Sequence, residues 1–264
     1  MNVTSKIIGI VNLTPDSFSK TGRYFDHVKA LDYIKDIIAK GVDVIDIGAE
    51  STRPGSVAVA VEEEMRRLEI LSKIKELVLG TKVKISLDSR NYATISRYID
   101  YIDIINDVSG FHDRSLLDLA LNNNKKIVLM HSLSVPVIKG QYIQTDDIIL
   151  YLKKWLSQRL DELCELGFSR DQIIFDPGIG FGTTPEQSFT IIKNIKSFMD
   201  CGVEILVGHS KKSFLSVLGE EDPNNRAPET NAMTLYLAQA CVNYIRVHDV
   251  WDSKRIINLA EALR

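Results

Sequence analysis

The strongest constraint on the fold is a set of eight apolar runs of strand length, most of which end at a polar residue. The runs cover 7–11, 44–45, 85–87, 104–105, 127–130, 173–175, 205–207 and 244–247. Stretches with the helical spacing of apolar residues separate them, and one of these, 28–40, ends before Gly41. Strands that alternate with helices favour a parallel sheet. Eight such pairs predict closure into an α/β TIM (β/α)8 barrel, a single domain over 1–264.

Length and charge favour one enzyme-sized domain that acts on small molecules. The 264 residues match the roughly 250 of such a barrel. A net charge of −3 argues against a nucleic-acid or membrane-surface partner, and no apolar run reaches membrane-spanning length. Lys6 interrupts the first apolar run, which is too short for a signal-peptide core. Three cysteines without metal-type spacing indicate a reducing compartment and inert buried thiols. We therefore expect a cytoplasmic protein.

The polar residues at the strand ends predict where the active site lies, because such barrels carry their active sites at the carboxyl ends of the strands. The acids and amides at these ends are Asn12, Asp46, Asp88, Asn106 and Asp176. Several carboxylates on different strands suit a divalent metal, or accept hydrogen bonds from a donor-rich heterocycle. The residues alone leave both readings open. Two further acids, Asp107 and Asp249, directly follow strand-end residues, and we expect them to cap or pair structurally.

Positive charge concentrates at Arg53, Lys211-Lys212, Arg246 and His248. An arginine pointing into a barrel is costly unless an anion pairs with it. Lys212 leads into a predicted helix start, where backbone N–H groups favour anions. The pattern predicts a phosphate or diphosphate site. The alternative is an internal salt bridge from Arg246 to Asp46 or Asp249.

Long loops at the same end of the barrel are candidate ligand-binding segments. Loops 13–25, 49–61 and 133–145 exceed the length that a connection needs, and we expect the first two to close over a ligand. The glycine-rich segment 176–182 lets the backbone approach a flat ligand, with Phe181 against its ring. A structural tight turn is the alternative for these glycines. The segment is not a dinucleotide fingerprint, because its third glycine comes one residue too soon.

Read in order, several motifs resemble those of the dihydropteroate synthases and together cover essentially the whole chain. The two densest are 12–19, which reads NLTPDSFS, and 46–55, which reads DIGAESTRPG. The others follow in the family's order at 86–89, 105–110, 176–182, 210–213 and 246–249. The first two motifs are highly specific, whereas a short block such as Ile105–Asp107 is not.

The resemblance implies a Mg²⁺-dependent transferase of folate biosynthesis and a sulfonamide target. Such an enzyme joins p-aminobenzoate to 6-hydroxymethyl-7,8-dihydropterin diphosphate and releases diphosphate. On the matched motifs, the implied pterin-binding residues are Asp88, Asn106, Met130, Asp176, Phe181 and Lys212. The implied diphosphate-binding residues are Asn12, which also ligates Mg²⁺, Thr52, Arg53, Arg246 and His248. The p-aminobenzoate pocket would comprise Phe18, Thr52, Arg53, Pro54, Phe181 and Ser213, and the catalytic residues would be Asp88, Lys212, Arg246 and His248.

Some positions depart from the family pattern. Lys20-Thr21-Gly22 stands where Asp-Gly-Gly is usual, and Thr183 follows Gly182 where a lysine is common. The segment after His131 also differs, which leaves the contacts of the fifth loop open. The resemblance further implies a homodimer built on the later helices; burial within the monomer is the alternative for the apolar stretch 232–242.

Two rival functions remain, a pterin-dependent methyltransferase domain and a noncatalytic pterin-binding paralogue. The methyltransferase needs no diphosphate cluster, so the presence of Arg53, Lys212, Arg246 and His248 argues against it. Loss of Asn12, Asp88 or Lys212 would indicate the paralogue, and all three are present. The role of Asp46 stays open between loop support and catalysis.

Overall fold

Eight parallel strands close into a barrel in the order of the sequence, in a computed structural model that describes residues 4–14, 26–50 and 59–264. The strands are β1 Lys6–Asn12, β2 Val44–Gly48, β3 Lys84–Asp88, β4 Ile104–Asp107, β5 Lys126–Met130, β6 Ile173–Asp176, β7 Glu204–Gly208 and β8 Tyr244–Val247. β1 pairs with both β2 and β8, which closes the ring. The predicted TIM barrel is therefore confirmed.

Helices surround the barrel between successive strands. Within the described residues they are α1 His27–Ala39, α2 Val61–Arg67, α3 Leu71–Val78, α4 Tyr92–Tyr98, α5 Arg114–Asn122, α6 Ile148–Glu165, α7 Pro185–Lys193, α8 Ala227–Gln239 and α9 Val250–Ala262. Short 3₁₀ turns occupy Leu68–Ile70, Ile99–Tyr101, Arg170–Gln172, Ile195–Cys201 and Ser213–Leu218. Leu68, Ile70 and Leu71, in and directly after the 3₁₀ turn that follows α2, are all buried in the core, although positions two apart on a regular helix lie on different faces.

The interior of the barrel changes from apolar to polar along the strands. One layer is apolar and consists of Ile8, Val44, Ile104, Val128, Ile174, Leu206 and Tyr244. Two residues further along, the inward positions carry Asp46, Asn106, Asp176 and Arg246, because side chains alternate between the two faces of a strand. The alternation therefore turns the strand-end polar residues toward one shared space at the carboxyl end of the barrel.

Two smaller predictions have opposite outcomes. Asp249 caps α9 by accepting from the backbone N–H of Asp252 at 3.0 Å, as expected. The prediction of buried thiols is wrong, since Cys164 is exposed and Cys201 and Cys241 are only half-buried; all three are free. Cys164 lies on the outer surface of α6, where a helix flanking a barrel faces water.

In the described part of the chain, no helix is both long and apolar enough to cross a bilayer.

Candidate active site

Arg246 lies at the centre of the polar layer and contacts two carboxylates. Its Nε lies 2.6 Å from Oδ2 of Asp46, an ion pair rather than an aligned hydrogen bond, and its Nη2 donates to Oδ2 of Asp88 at 2.6 Å. Asn106 donates from Nδ2 to the same Asp46 oxygen at 3.2 Å. The internal salt bridge to Asp46 that the sequence left as an alternative is thus present, whereas Asp249 serves as a helix cap.

Burial and crowding of like charges shift the pKa values of this cluster. Burial raises the pKa of Asp88 to about 7; the charge of Arg246 opposes this shift, and that of Asp46 adds to it. Burial also raises the pKa of Asp176, against the pull of Lys212. For Arg246, burial favours the neutral form, but Asp46, Asp88 and Asp176 outweigh it and raise the pKa above its ordinary value. Arg246 is therefore a permanent cation beside a carboxylate that titrates near neutrality.

Lys212 brings a second positive charge to the site from the turn after β7. Its Nζ donates to the backbone oxygen of Ile179 at 2.5 Å and lies 4.9 Å from the centroid of the Phe181 ring. Burial lowers the pKa of Lys212 to about 8, although Asp176 favours its charged form. The predicted helix start here is a short 3₁₀ turn, and Ser213, its first residue, is exposed.

The glycine-rich loop after β6 is packed tightly against the loop after β5. A Cβ on Gly178 would lie 1.8 Å from the backbone oxygen of His131, and one on Gly182 would lie 2.4 Å from Cβ of Leu133. The backbone N–H of Leu133 donates to Phe181 at 3.2 Å. Gly178 and Gly182 thus have the structural role that the sequence left as an alternative. The loop after β5, whose contacts the sequence left open, supports Phe181.

The remaining described site residues lie on the wall and rim of this space. Met130 is buried at the end of β5, in register with Asp176. His248 follows β8, and its Nδ1 lies 3.0 Å from Oγ of Ser210. His131 contacts Trp155 edge-on, and burial lowers its pKa to about 4, so it is a neutral part of the wall.

A buried carboxylate outside the predicted set supports the chain just after Asp88. Glu64 of α2 accepts hydrogen bonds from Ser89 Oγ at 2.7 Å, Asn91 Nδ2 at 2.7 Å and Thr94 Oγ1 at 2.6 Å. Glutamates also occupy the rest of the first turn of α2, 62–64, where their charge complements the helix dipole. The clustered hydroxyl and amide residues at 89–94 were the available signal, but nothing in the sequence indicates that they meet α2.

The predicted metal ligand is the amide of Asn12. Asn12 is in register with Gly48, and Gly48 with Asp88, so the amide lies at the level of the Asp88 carboxylate. Over the described ranges, no group of three or more His, Cys, Asp or Glu side chains is arranged to hold a metal. Mg²⁺ commonly takes one or two protein ligands and completes its shell with water and substrate phosphates. A single amide oxygen at the substrate level fits that type of site.

Four residues of the implied p-aminobenzoate and diphosphate sites cannot be placed. Phe18, Thr52, Arg53 and Pro54 lie outside the described residues, as do most of the first two long loops. The described cluster therefore comprises Asn12, Asp46, Asp88, Asn106, Asp176, Lys212, Arg246 and His248, with Met130 and Phe181 beside it.

Comparison with known proteins identifies the family. The family model for "Pterin binding enzyme" matches residues 8–248. The chain belongs to the pterin-binding enzyme family. This pterin-binding enzyme is 32% identical to the type-3 dihydropteroate synthase of Escherichia coli, over 98% of the chain and 99% of that protein. The resemblance to dihydropteroate synthases that the motifs indicated is confirmed.

Solved structures and longer relatives extend the comparison. The dihydropteroate synthase of Anaplasma phagocytophilum, solved with 6-hydroxymethylpterin monophosphate bound, superimposes with a TM-score of 0.90 at 35% identity, covering 99% of this pterin-binding enzyme and 100% of that chain. A probable bifunctional folylpolyglutamate synthase/dihydropteroate synthase of Haloferax volcanii is 35% identical over 100% of the chain. The chain spans only 31% of that bifunctional protein.

Proposed function

We infer that this pterin-binding enzyme is a dihydropteroate synthase. It condenses 6-hydroxymethyl-7,8-dihydropterin diphosphate with p-aminobenzoate and releases diphosphate. The observation that carries the inference is Arg246, held between Asp46 and Asp88 beside Asp176 and Lys212, in a chain that spans nearly the full length of a dihydropteroate synthase relative. This arrangement offers acceptors for a donor-rich ring and cations for a phosphorylated leaving group.

The pterin ring binds on the deep side of the site in this proposal. Asp176 and Asn106 are buried and provide acceptor oxygens at the ends of β6 and β4, where the 2-amino group and ring N–H of a pterin can donate. Lys212 donates to ring acceptors from the loop after β7, and Phe181 covers the ring face beside it. Met130 forms the apolar wall.

The diphosphate binds toward the rim. Two of the three guanidinium nitrogens of Arg246 face carboxylates, so we assign its third nitrogen, with His248, to the leaving group. Asn12 would hold Mg²⁺ together with the diphosphate oxygens. When bound, Mg²⁺ supplies positive charge that stabilises the departing diphosphate.

The charges that develop as the bond to diphosphate breaks determine the roles of Arg246, His248 and Asp88. Breaking the bond between the pterin methylene and the diphosphate oxygen leaves negative charge on the leaving group and positive charge on the methylene. Arg246 and His248 stabilise the first, and the ionised carboxylate of Asp88 stabilises the second. The p-aminobenzoate amine then forms the new C–N bond to the methylene and loses its proton. The amine is a weak nucleophile and needs no strong base, so we propose an SN1-like path in which the bond to diphosphate breaks first.

Release of diphosphate by the purified chain tests the function. We expect release only when Mg²⁺, the pterin diphosphate and p-aminobenzoate are all present, with one dihydropteroate formed per diphosphate. Binding of the pterin without turnover would favour the noncatalytic paralogue. Asp88→Asn should bind the pterin yet lose most turnover; full turnover with unchanged substrate affinity would refute the role of Asp88.

We also propose a cytoplasmic homodimer. Tyr236 on α8 and Trp251 and Leu259 on α9 are 43%, 50% and 50% exposed, which supports an apolar contact surface on these adjacent helices. Light scattering coupled to size exclusion tests the assembly. A monomer mass at micromolar concentration would refute it.

A further inference from the structure

Asp46 is a carboxylate of the active site that has no assigned role and almost no contact with solvent, at 1% exposure. We propose that Asp46 is a positioning residue that fixes both the guanidinium plane of Arg246 and the amide orientation of Asn106. The proposal rests on the proposed function, because it concerns how these two groups meet the pterin substrate.

The first part of the argument is the position of Asp46 within the barrel. Asp46 is in register with Ile10 and Ser86, whereas Gly48, two residues later, is in register with Asp88. Side chains two apart on a strand point the same way, so Asp46 lies further from the carboxyl end of the barrel than Asp88, and its side chain is 1% exposed against 14% for Asp88. A substrate that enters from the carboxyl end of the strands meets Asp88 first. Asp46 therefore acts through other side chains rather than by touching the substrate.

The second part concerns Arg246. Its Nε faces Asp46 from below and its Nη2 donates to Asp88 at the substrate level, each at 2.6 Å. Two contacts on different nitrogens of one rigid, planar group fix both its position and its rotation. With Asp88 alone, the guanidinium could turn about a single contact. Asp46 thus fixes the plane of the guanidinium, and with it the direction in which the third nitrogen meets a ligand.

The third part concerns Asn106. An ionised carboxylate only accepts hydrogen bonds, so the amide group that faces Asp46 must be the Nδ2 donor, at 3.2 Å from Oδ2 and 3.4 Å from Oδ1. The Oδ1 acceptor of Asn106 is consequently turned away from Asp46. A pterin presents several N–H donors, and this orientation offers them an acceptor. Without the charge on Asp46, both orientations of the amide become acceptable.

A purely stabilising role explains the arrangement less well. Removing a carboxylate from water is expensive, and well-packed apolar residues often replace a buried ion pair without loss of stability. The neighbouring interior layer of this barrel is entirely apolar apart from the Tyr244 hydroxyl. Asp46 contacts two proposed substrate-binding groups, and the need to orient these groups explains its presence better than a contribution to stability does.

Isothermal titration with 6-hydroxymethylpterin tests the proposal, because this ligand lacks the leaving group and binds without reaction. We compare the full chain with Asp46→Asn, which keeps the shape of the side chain and removes its charge. The matched control is Glu204→Gln at the opposite end of the barrel, where Glu204 likewise contacts two basic groups, Lys6 and Lys126. Asp46→Asn should weaken pterin binding roughly 10-fold or more and lower kcat, with KM for p-aminobenzoate within about twofold. Glu204→Gln should leave pterin affinity unchanged.

The positioning role of Asp46 and the proposed function fail in different experiments. If the unmodified chain binds the pterin and Asp46→Asn binds it equally well, the positioning role is overturned and the function stands. If the unmodified chain does not bind the pterin, both are overturned. An equal loss of affinity in Glu204→Gln would also overturn the positioning role, because the effect would then be general destabilisation.

A measurement on the unmodified chain covers the case in which Asp46→Asn does not fold. The Nε of Arg246 is buried, so its N–H should exchange with solvent at least 10-fold more slowly than that of Arg255, whose side chain is 66% exposed. NMR of the arginine side chains reads both rates. Equal exchange rates would overturn the proposal, because the guanidinium would not be held.

Discussion

The active site carries an excess of buried negative charge, and replacing Asp88 should relieve it. Asp46, Asp88 and Asp176 contribute three negative charges, and Arg246 and Lys212 contribute two positive ones, which leaves −1 in this group. We predict that Asp88→Asn makes the protein more stable at pH 8 while it lowers turnover. The prediction links the electrostatics of the site to a quantity that needs no substrate.

The magnitude follows from the pKa of Asp88, which burial raises from 3.8 to about 7. Between these values the folded state binds more protons than the unfolded state, so stability is lost as the pH rises through this window. A shift of about 3 units corresponds to about 4 kcal/mol above pH 7. The attraction of Arg246 is already included in this pKa, and asparagine resembles the neutral carboxyl group. The net gain of Asp88→Asn at pH 8 is therefore up to about 4 kcal/mol.

Urea unfolding at pH 5 and pH 8 measures this effect. The difference in unfolding free energy between Asp88→Asn and the unmodified chain should grow in favour of the variant by about 3 kcal/mol from pH 5 to pH 8. Burial lowers the pKa of His131 and His209 to about 4, which makes stability rise with pH up to 6.5 in both proteins, so this contribution cancels. The lowered pKa of Lys212, about 8, acts mainly between pH 8 and 10.5.

Asp113→Asn is the control for this comparison, because Asp113 caps α5 at the surface and asparagine is an equally good cap. Its unfolding free energy should follow that of the unmodified chain at both pH values. If Asp88→Asn and the unmodified chain lose stability equally between pH 5 and pH 8, the argument from excess charge is wrong.

Three further predictions follow from individual contacts. The pH profile of kcat/KM should rise as Asp88 loses its proton near pH 7 and fall as Lys212 loses its proton near pH 8; a rate that is flat from pH 6 to 9 would contradict both assignments. Gly182→Ala should separate the loops after β5 and β6, since its Cβ would lie 2.4 Å from Leu133, and should weaken pterin binding about 10-fold in titrations. Gly140→Ala is the control and should keep its affinity, because Gly140 has a similar positive φ but nothing within 4 Å of its Cβ position. Gly9→Ala should lower the unfolding free energy by about 1–3 kcal/mol in urea titrations, because its Cβ would lie 2.9 Å from Val250, and an unchanged midpoint would refute this packing argument.

The barrel could be predicted because its signal is local. Each strand is a short apolar run, and most runs end at a side chain that the alternation of the strand turns inward, as for Asp88 on β3 and Asp176 on β6. Asp249 was also predictable as a cap, because a cap depends only on the residues that follow it. The breaks in the helices were not predictable, since the turn at Leu68–Ile70 is selected by the core against which it packs.

The pairings inside the site could be predicted only in part. From the sequence, either Asp46 or Asp249 could pair with Arg246. Asp46 lies some 200 positions away and Asp249 only three, and this spacing does not decide between them. The choice depends on the stagger of the strands, which places Ile8 of β1 beside both Arg246 of β8 and Val44 of β2. The bracing of Phe181 by Leu133 was out of reach for the same reason, because two loops meet only after the barrel closes.

The excess negative charge also bears on catalysis. A site that binds an anionic diphosphate gains nothing in the ground state from additional carboxylates such as Asp46 and Asp88, which lie beside Arg246. In the proposed reaction, however, the bond that breaks leaves a positive methylene on the pterin, and only then does the charge of the cluster become balanced. Interactions that are stronger in the transition state than in the ground state are those that accelerate a reaction. The negative charge that destabilises the folded protein is thus the charge that the pterin methylene requires when the diphosphate departs, and Asp88→Asn should remove both effects together.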